Sequence, residues 1–148
     1  MTASAALAGL VLVATGQWPI PGPIVAPYDP PAADWQAGHR GIDLAATPGE
    51  PVRSMAAGTV AFVGSIGGIA VVTVGYPGST RLRSTYEPVI GSVRVGQRVA
   101  AGEVIGTVAA SGGHCGGSCL HVGLRTDSRY LDPTLLVTRR PAVLRPAR

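Results

Sequence analysis

Lysine is missing from this chain of 148 residues: all twelve basic side chains are arginine, set against eight acidic ones for a formal net charge of +4. No polybasic lysine tract is therefore available to a membrane or a polyanion. Aromatic residues make up only 5% of the chain, which leaves no stacking platform for single-stranded nucleic acid. The arginines are dispersed, and Arg139, Arg140, Arg145 and Arg148 crowd the C-terminal tail. Together these features argue against a nucleic-acid partner. Nor is there an apolar run of the about 20 residues that a transmembrane helix needs. The stretch from Ala5 to Ala14 instead has the length of a signal-peptide apolar core, and Ala14-Thr15-Gly16 supplies small residues where a signal peptidase would cut. A basic region ahead of it is lacking, because no arginine precedes Arg40. Residues 1–17 thus read either as an export segment or as a first strand or short helix packed on the core. Export would place the cysteines in a disulfide-permissive compartment.

What the chain has in abundance is glycine, 21 residues, and proline, 13, within a composition that is 46% hydrophobic. Short apolar segments broken by frequent turns indicate an all-β domain rather than a helical one. "WPIPGPIVAPYDPP" holds too many prolines for a helix or a central strand and is expected to run extended along a surface. Strands are expected near Ile42–Leu44, Pro51–Ser54, Gly58–Gly64, Ala70–Val74, Leu82–Tyr86, Val104–Ala109 and Leu120–Leu124, with turns at "TPGE", "GSIGG", "YPGS" and "SGG". Regular strand spacing without a 3.6-residue period points to a sandwich or barrel. The expected domain spans residues 18–137, with an Arg/Pro-rich tail at 138–148. "PVRSMAAGTVAFVG" and "SVRVGQRVAAGEVIGTV" look alike, each a turn ahead of Ala-Gly and a Val-rich strand, a hairpin pattern that also builds biotin- and lipoyl-carrier domains. Those carriers attach their cofactor to a lysine, so biotin and lipoyl are excluded as partners while the hairpin architecture stands.

Chemistry concentrates in two places. "GHRGIDLAA" supplies His39 and Asp43, four residues apart, and "GHCGGSCLHVGLR" holds His114, Cys115, Cys119 and His121. Cys119 and His121 are i and i+2, so on a strand they share a face. Imidazole and carboxylate are ligands zinc accepts, and a catalytic zinc commonly keeps three protein ligands and one open position. His39, Asp43 and His121 make such a set, although two histidines and a carboxylate also suit iron. Asp127, Asp132 and Glu103 read as turn or surface carboxylates.

The ordered series of these segments resembles the LytM/lysostaphin-type zinc metallopeptidases, which cleave peptide bonds in bacterial peptidoglycan. The resemblance runs from Trp18 to Val137. It rests on the lead-in "WPIPGPIVAPYDPP", the His-x-x-x-Asp of "GHRGIDLAA", "PGEPVRSMAAGTVAFVG", the hairpin "VRVGQRVAAGEVIGTV", "CLHVGLR" where the family has His-x-His, and the closing "YLDPTLLV". It implies a small antiparallel β-barrel-sandwich of the duplicated hybrid motif type, with a central groove floored by strands. It also implies zinc on His39, Asp43 and His121, and hydrolysis of wall peptides by metal-activated water. Tyr86 would contact a transition-state oxygen. Two positions depart from the pattern. Cys119 stands at the first, catalytic histidine of His-x-His, and Pro88 of "TYEPV" stands at the catalytic histidine of Tyr-x-His.

General acid–base help is worth about 10²–10⁴-fold, so a substitute for those histidines matters. Glu87 is expected to point away from the site by strand alternation. His114, on a glycine loop ahead of Cys119, is the candidate surrogate base, the alternative being a turn histidine in solvent. Cys119 has three open fates: a disulfide with Cys115 across "GGS", a fourth zinc ligand that would close the site, or a free thiol. A cysteine-protease reading would require His121 to abandon the metal and is set aside. Two functions lead: a zinc-dependent peptidoglycan endopeptidase, and a catalytically silent zinc-binding member that binds peptidoglycan stem peptides or cross-bridges or regulates another wall hydrolase. An exported module with relic ligands is disfavoured, since nothing would keep the His/Asp/His set whole.

Overall fold

A computed structural model describes residues 16–115 and 117–137. Of the segment 1–17 read for export, residues 1–15 lie outside them, as does the tail from 138 onward. The strands run β1 Ile24–Ala26, β2 Gly41–Ala45, β3 Pro51–Arg53, β4 Gly58–Ile66, β5 Ile69–Gly75 and β6 Arg83–Glu87. They continue as β7 Val89–Gly91, β8 Arg98–Val99, β9 Val104–Val108, β10 Cys119–Arg125 and β11 Tyr130–Leu131, before a 3-10 turn at Pro133–Leu136. All strand pairings among the described residues are antiparallel, and the fold is all-β.

Two sheets share the work. The larger has eight strands in the order β1-β2-β10-β6-β5-β4-β8 with β11 beside β10, and the smaller has three in the order β3-β9-β7. Val52, Val89, Ile105 and Val108 from the small sheet meet Ile42, Leu44, Val72, Val74, Tyr86, Leu120, Val122 and Leu124 from the large one in a single core. Alternation does this: in β10 Leu120, Val122 and Leu124 are buried in the core, while His121, Gly123 and Arg125 lie half-buried on the other side, where Cys119 is also buried. The β4–β5 hairpin turns through Gly67 and Gly68, at φ 59° and 84°, a left-handed pair that only glycine adopts without strain.

Every expected strand is present, most extended by a residue or two. The proline-rich lead-in contributes β1 at the sheet edge, where missing N–H donors do least harm. Glu103 accepts from the Ala100 N–H at 2.9 Å and Asp132 from the Thr134 N–H at 2.9 Å, both as turn carboxylates. Asp127 pairs with Arg81 and Arg83 on the surface.

Candidate metal centre

The site grows from one rung of the large sheet. Asp43 sits in β2 opposite His121 of β10, and His121 sits opposite Glu87 of β6. Residues directly opposite share a face of an antiparallel ladder, so Asp43, His121 and Glu87 form a row on the face turned away from the core. Glu87 therefore does not point away from the site, contrary to the sequence expectation. The register with β10 fixes its face, and the alternate residues Ser84, Tyr86 and Pro88 are the buried ones.

His39 comes to this row through a bridge with Asp29, made by Asp29 N–H to His39 O at 2.9 Å and His39 N–H to Asp29 O at 2.7 Å. Its Nδ1 lies 2.7 Å from the Pro27 carbonyl, which can only accept, so Nδ1 carries the proton and Nε2 the lone pair. That Nε2 is 3.2 Å from Asp43 Oδ1. A lone pair facing a carboxylate oxygen at this range is stable only with a proton or a cation between them. Nothing in the sequence signals the Pro27 carbonyl, because a backbone acceptor carries no residue signature.

His121 Nδ1 lies 2.8 Å from Asp43 Oδ1, and His114 Nε2 lies 2.6 Å from Asp43 Oδ2. The three imidazoles stand 5.1 to 5.9 Å apart, centroid to centroid, around the one carboxylate. They leave Asp43 only 4% exposed. Burial alone would push the Asp43 carboxyl up, but the hydrogen bonds and positive charge of His114 and His121 outweigh it and hold the group below its ordinary value. The ligand atoms of His39, Asp43, His114 and His121 all fall within 4.8 Å of one another, a donor set of the kind zinc takes. The His121 ring rests over Gly41, where a Cβ would meet its Cε1 and Nε2 at 2.8 Å. That position admits nothing larger than glycine.

His114 reaches the cluster on a loop between β9 and β10. Gly112, Gly113 and Gly117 hold φ of 95°, 69° and 93° there. Cys115 and Cys119 are joined as a disulfide, and the Ser118 hydroxyl donates to the Cys115 carbonyl at 2.9 Å. A Cβ at Gly113 would meet the Pro88 ring at 3.3 Å, so the loop lies against Pro88. With its sulfur bonded, Cys119 offers neither a thiolate base nor a fourth ligand. Tyr86 also requires correction as a transition-state contact. It is fully buried, and its hydroxyl accepts from the Met55 N–H at 2.9 Å and from Ser84 at 2.9 Å inside the core. Even alternation from Glu87 sends it to the wrong side of the sheet.

Fold and site together define an all-β domain with a histidine–carboxylate cluster, a candidate metal site, on the open face of its main sheet. The profile of peptidase family M23 matches residues 37–133, well over half of the chain, and the chain belongs to that family. The uncharacterized protein Rv2891 of Mycobacterium tuberculosis is 42% identical over 138 residues, covering 87% of this chain and 54% of its own length. The chain thus spans about half of that relative. The catalytic domain of the antimicrobial peptidase lysostaphin from Staphylococcus simulans is 23% identical with a TM-score of 0.65, over 76% of this chain and 90% of the domain. A zinc-containing peptidase from Vibrio cholerae is 22% identical with a TM-score of 0.67, over 86% of this chain and 41% of its own. Both likenesses are of fold. Among the described residues no helix is long and apolar enough to cross a membrane.

Proposed function

We propose that this domain is a zinc-dependent endopeptidase acting on the peptides of bacterial peptidoglycan, with His39, Asp43 and His121 holding the metal and His114 serving as the proton-transfer group. The carrying observation is the 2.6 Å approach of His114 Nε2 to Asp43 Oδ2, which brings a further imidazole into the centre. Zinc, when bound, polarises a substrate carbonyl and lowers the pKa of water toward about 7. Nε2 faces the Asp43 carboxylate as a donor, so His114 must swing off Asp43 Oδ2 before this nitrogen can take the proton of the attacking water and return it to the departing amine. Its side chain is 51% exposed, so it can turn between these tasks. His39 is fixed by Pro27, and His121 is fixed over Gly41. Two contacts anchor the His114 loop: Pro88 supports Gly113, and Cys119 ties down Cys115. Pro88 and Cys119 are the two positions that the family resemblance assigns to catalytic histidines. One imidazole delivered from the loop stands in for the two. The disulfide also suits an exported protein.

A second reading is favoured by the convergence of four donors rather than three. With His114 as a ligand the coordination shell closes, and the domain is a silent zinc-binding module that recognises wall peptides or regulates another hydrolase. The test is to measure zinc per chain in the purified domain and then the release of new amine termini from peptidoglycan. Zinc near one per chain with amine release supports the enzyme; zinc without amine release sinks it in favour of the closed site.

A further inference from the structure

The sheet face that carries the metal centre does not end there. Along β10 it continues from His121 through Gly123 to Arg125, and along β6, in register, from Glu87 through Thr85 to Arg83. At its far end Arg40, Arg125 and Arg129 line a pocket of about 660 Å³ together with Tyr28, Tyr130 and Asp34. We infer that this pocket is a carboxylate-binding subsite of the same sheet face, taking a negatively charged end or side chain of the bound peptide. The inference rests on the peptidase reading for its substrate class, and it adds where and how that substrate is held.

The arginines are prepared for such a ligand. Arg125 lies with its guanidinium carbon 4.5 Å from the centroid of the Tyr130 ring, donates Nε–H to the Thr126 carbonyl at 3.0 Å and Nη1–H to the Tyr130 hydroxyl at 3.1 Å. Its Nη2 has no partner among the described residues. Arg40 donates Nη2–H to the Asp34 carbonyl at 2.6 Å and to the Gln36 carbonyl at 3.3 Å, which fixes its plane and leaves Nη1 without a partner among the described residues. Guanidinium groups held by their own backbone and ring contacts bind a carboxylate with little further loss of rotamer freedom. Within the pocket Asp34 is the acidic counterweight to three arginines. Nearby Asp127 is already engaged by Arg81 and Arg83.

Distance gives the register of the ligand. Four residues of strand separate His121 from Arg125, about 13 Å at about 3.3 Å per residue. An extended peptide covers that in about four residues. The floor between is low: Gly123 has no side chain, and a Cβ built on it would meet nothing nearer than the Arg40 carbonyl at 3.8 Å. A peptide whose bond lies at the metal can therefore run along β10 and set a carboxylate about four residues away among the arginines. Both a terminal α-carboxylate and the free carboxylate of a diamino-acid side chain supply this chemistry.

The experiment compares a cross-linked stem-peptide dimer in three forms, fully acidic, amidated at the terminal carboxylate, and amidated at the diamino-acid side chain, against the zinc-loaded domain, by calorimetric binding and by cleavage kinetics. One of the two amidations is expected to raise Kd and KM about tenfold with kcat little changed, and the form that does so identifies which carboxylate is held. Arg125→Gln, and independently the exposed Arg129→Gln, should bring the acid-to-amide ratio close to one, while Arg94→Gln on the β7–β8 turn keeps it. Gly123→Leu should weaken all three forms alike. Equal affinity for all three forms in the wild type overturns the subsite, as does a ratio that survives both Arg125→Gln and Arg129→Gln. Displacement of the peptide by a glycerol-phosphate polymer but not by its carboxylate forms would assign the pocket to a phosphodiester ligand and equally overturn it. Discrimination in binding without any cleavage would retain the subsite and remove the peptidase reading.

Discussion

His114 is the side chain on which the two functional readings divide. Removing a proton-transfer group costs about 10²–10⁴-fold, so His114→Ala is expected to lower kcat by at least about 100-fold. The zinc content should stay near one per chain, because His39, Asp43 and His121 remain. The measurement is metal analysis beside single-substrate kinetics; a variant that loses its zinc, or one with unchanged turnover, removes His114 from the role of proton carrier. Tyr86 offers the opposite case, a residue that resemblance places at the reaction and geometry places in the core. Tyr86→Phe leaves the buried Met55 N–H without its acceptor, which costs about 1–3 kcal/mol. A fall in the urea midpoint with unchanged kcat per folded molecule is the expected result; a drop in kcat at full stability would return Tyr86 to the site.

Among the elements, the His114 loop is the one whose construction has functional weight. The Cys115–Cys119 closure spans a sequence separation of 4, and a ring of that size is worth about 2 kcal/mol by chain entropy. The double variant Cys115→Ser/Cys119→Ser, or reduction with a thiol, should lose about that much stability. It should lose activity as His114→Ala does, and still bind zinc through His39, Asp43 and His121. Full activity in the reduced protein would show that the glycines and Pro88 alone hold the loop. The pair of strands that makes the centre, β2 and β10, was legible in advance. Cys119-x-His121 has a spacing that a strand turns into a shared face, and the apolar neighbours of Asp43 and His121 mark the buried side, whereas His39 lies ahead of β2 and joins through its bridge with Asp29. The elements that escaped, β1, β7, β8 and β11, are two or three residues long, too short for alternation to register above turn chemistry. Glu87 escaped for a different reason. Which face a strand residue takes depends on its register with a distant partner, here His121, and nothing local to "TYEPV" encodes that pairing.

For the molecule as a whole, the lack of lysine shapes its behaviour in alkali. Most domains titrate many lysines near pH 10, whereas this chain has none, its arginines stay charged, and both described cysteines are bonded. Tyr76 then stands out. Burial, and next its neighbour Tyr86, push its hydroxyl well above the ordinary value of 10.0, while Ser84 makes the short hydrogen bond to it. Because the folded-state pKa is the raised one, the unfolded chain releases this proton first as pH climbs. Stability from Tyr76 is fully present below about pH 10 and drains away above it, by up to about 1.4 kcal/mol per pH unit for one proton. Urea unfolding of the wild type at intervals from pH 8 to about 12 should therefore bend downward beyond pH 10. Tyr76→Phe should start from a somewhat lower plateau yet fall with a slope shallower by about that amount. Parallel alkaline limbs in the two proteins would show that the core hydroxyl does not govern the loss, and would shift attention to the tyrosines on the surface.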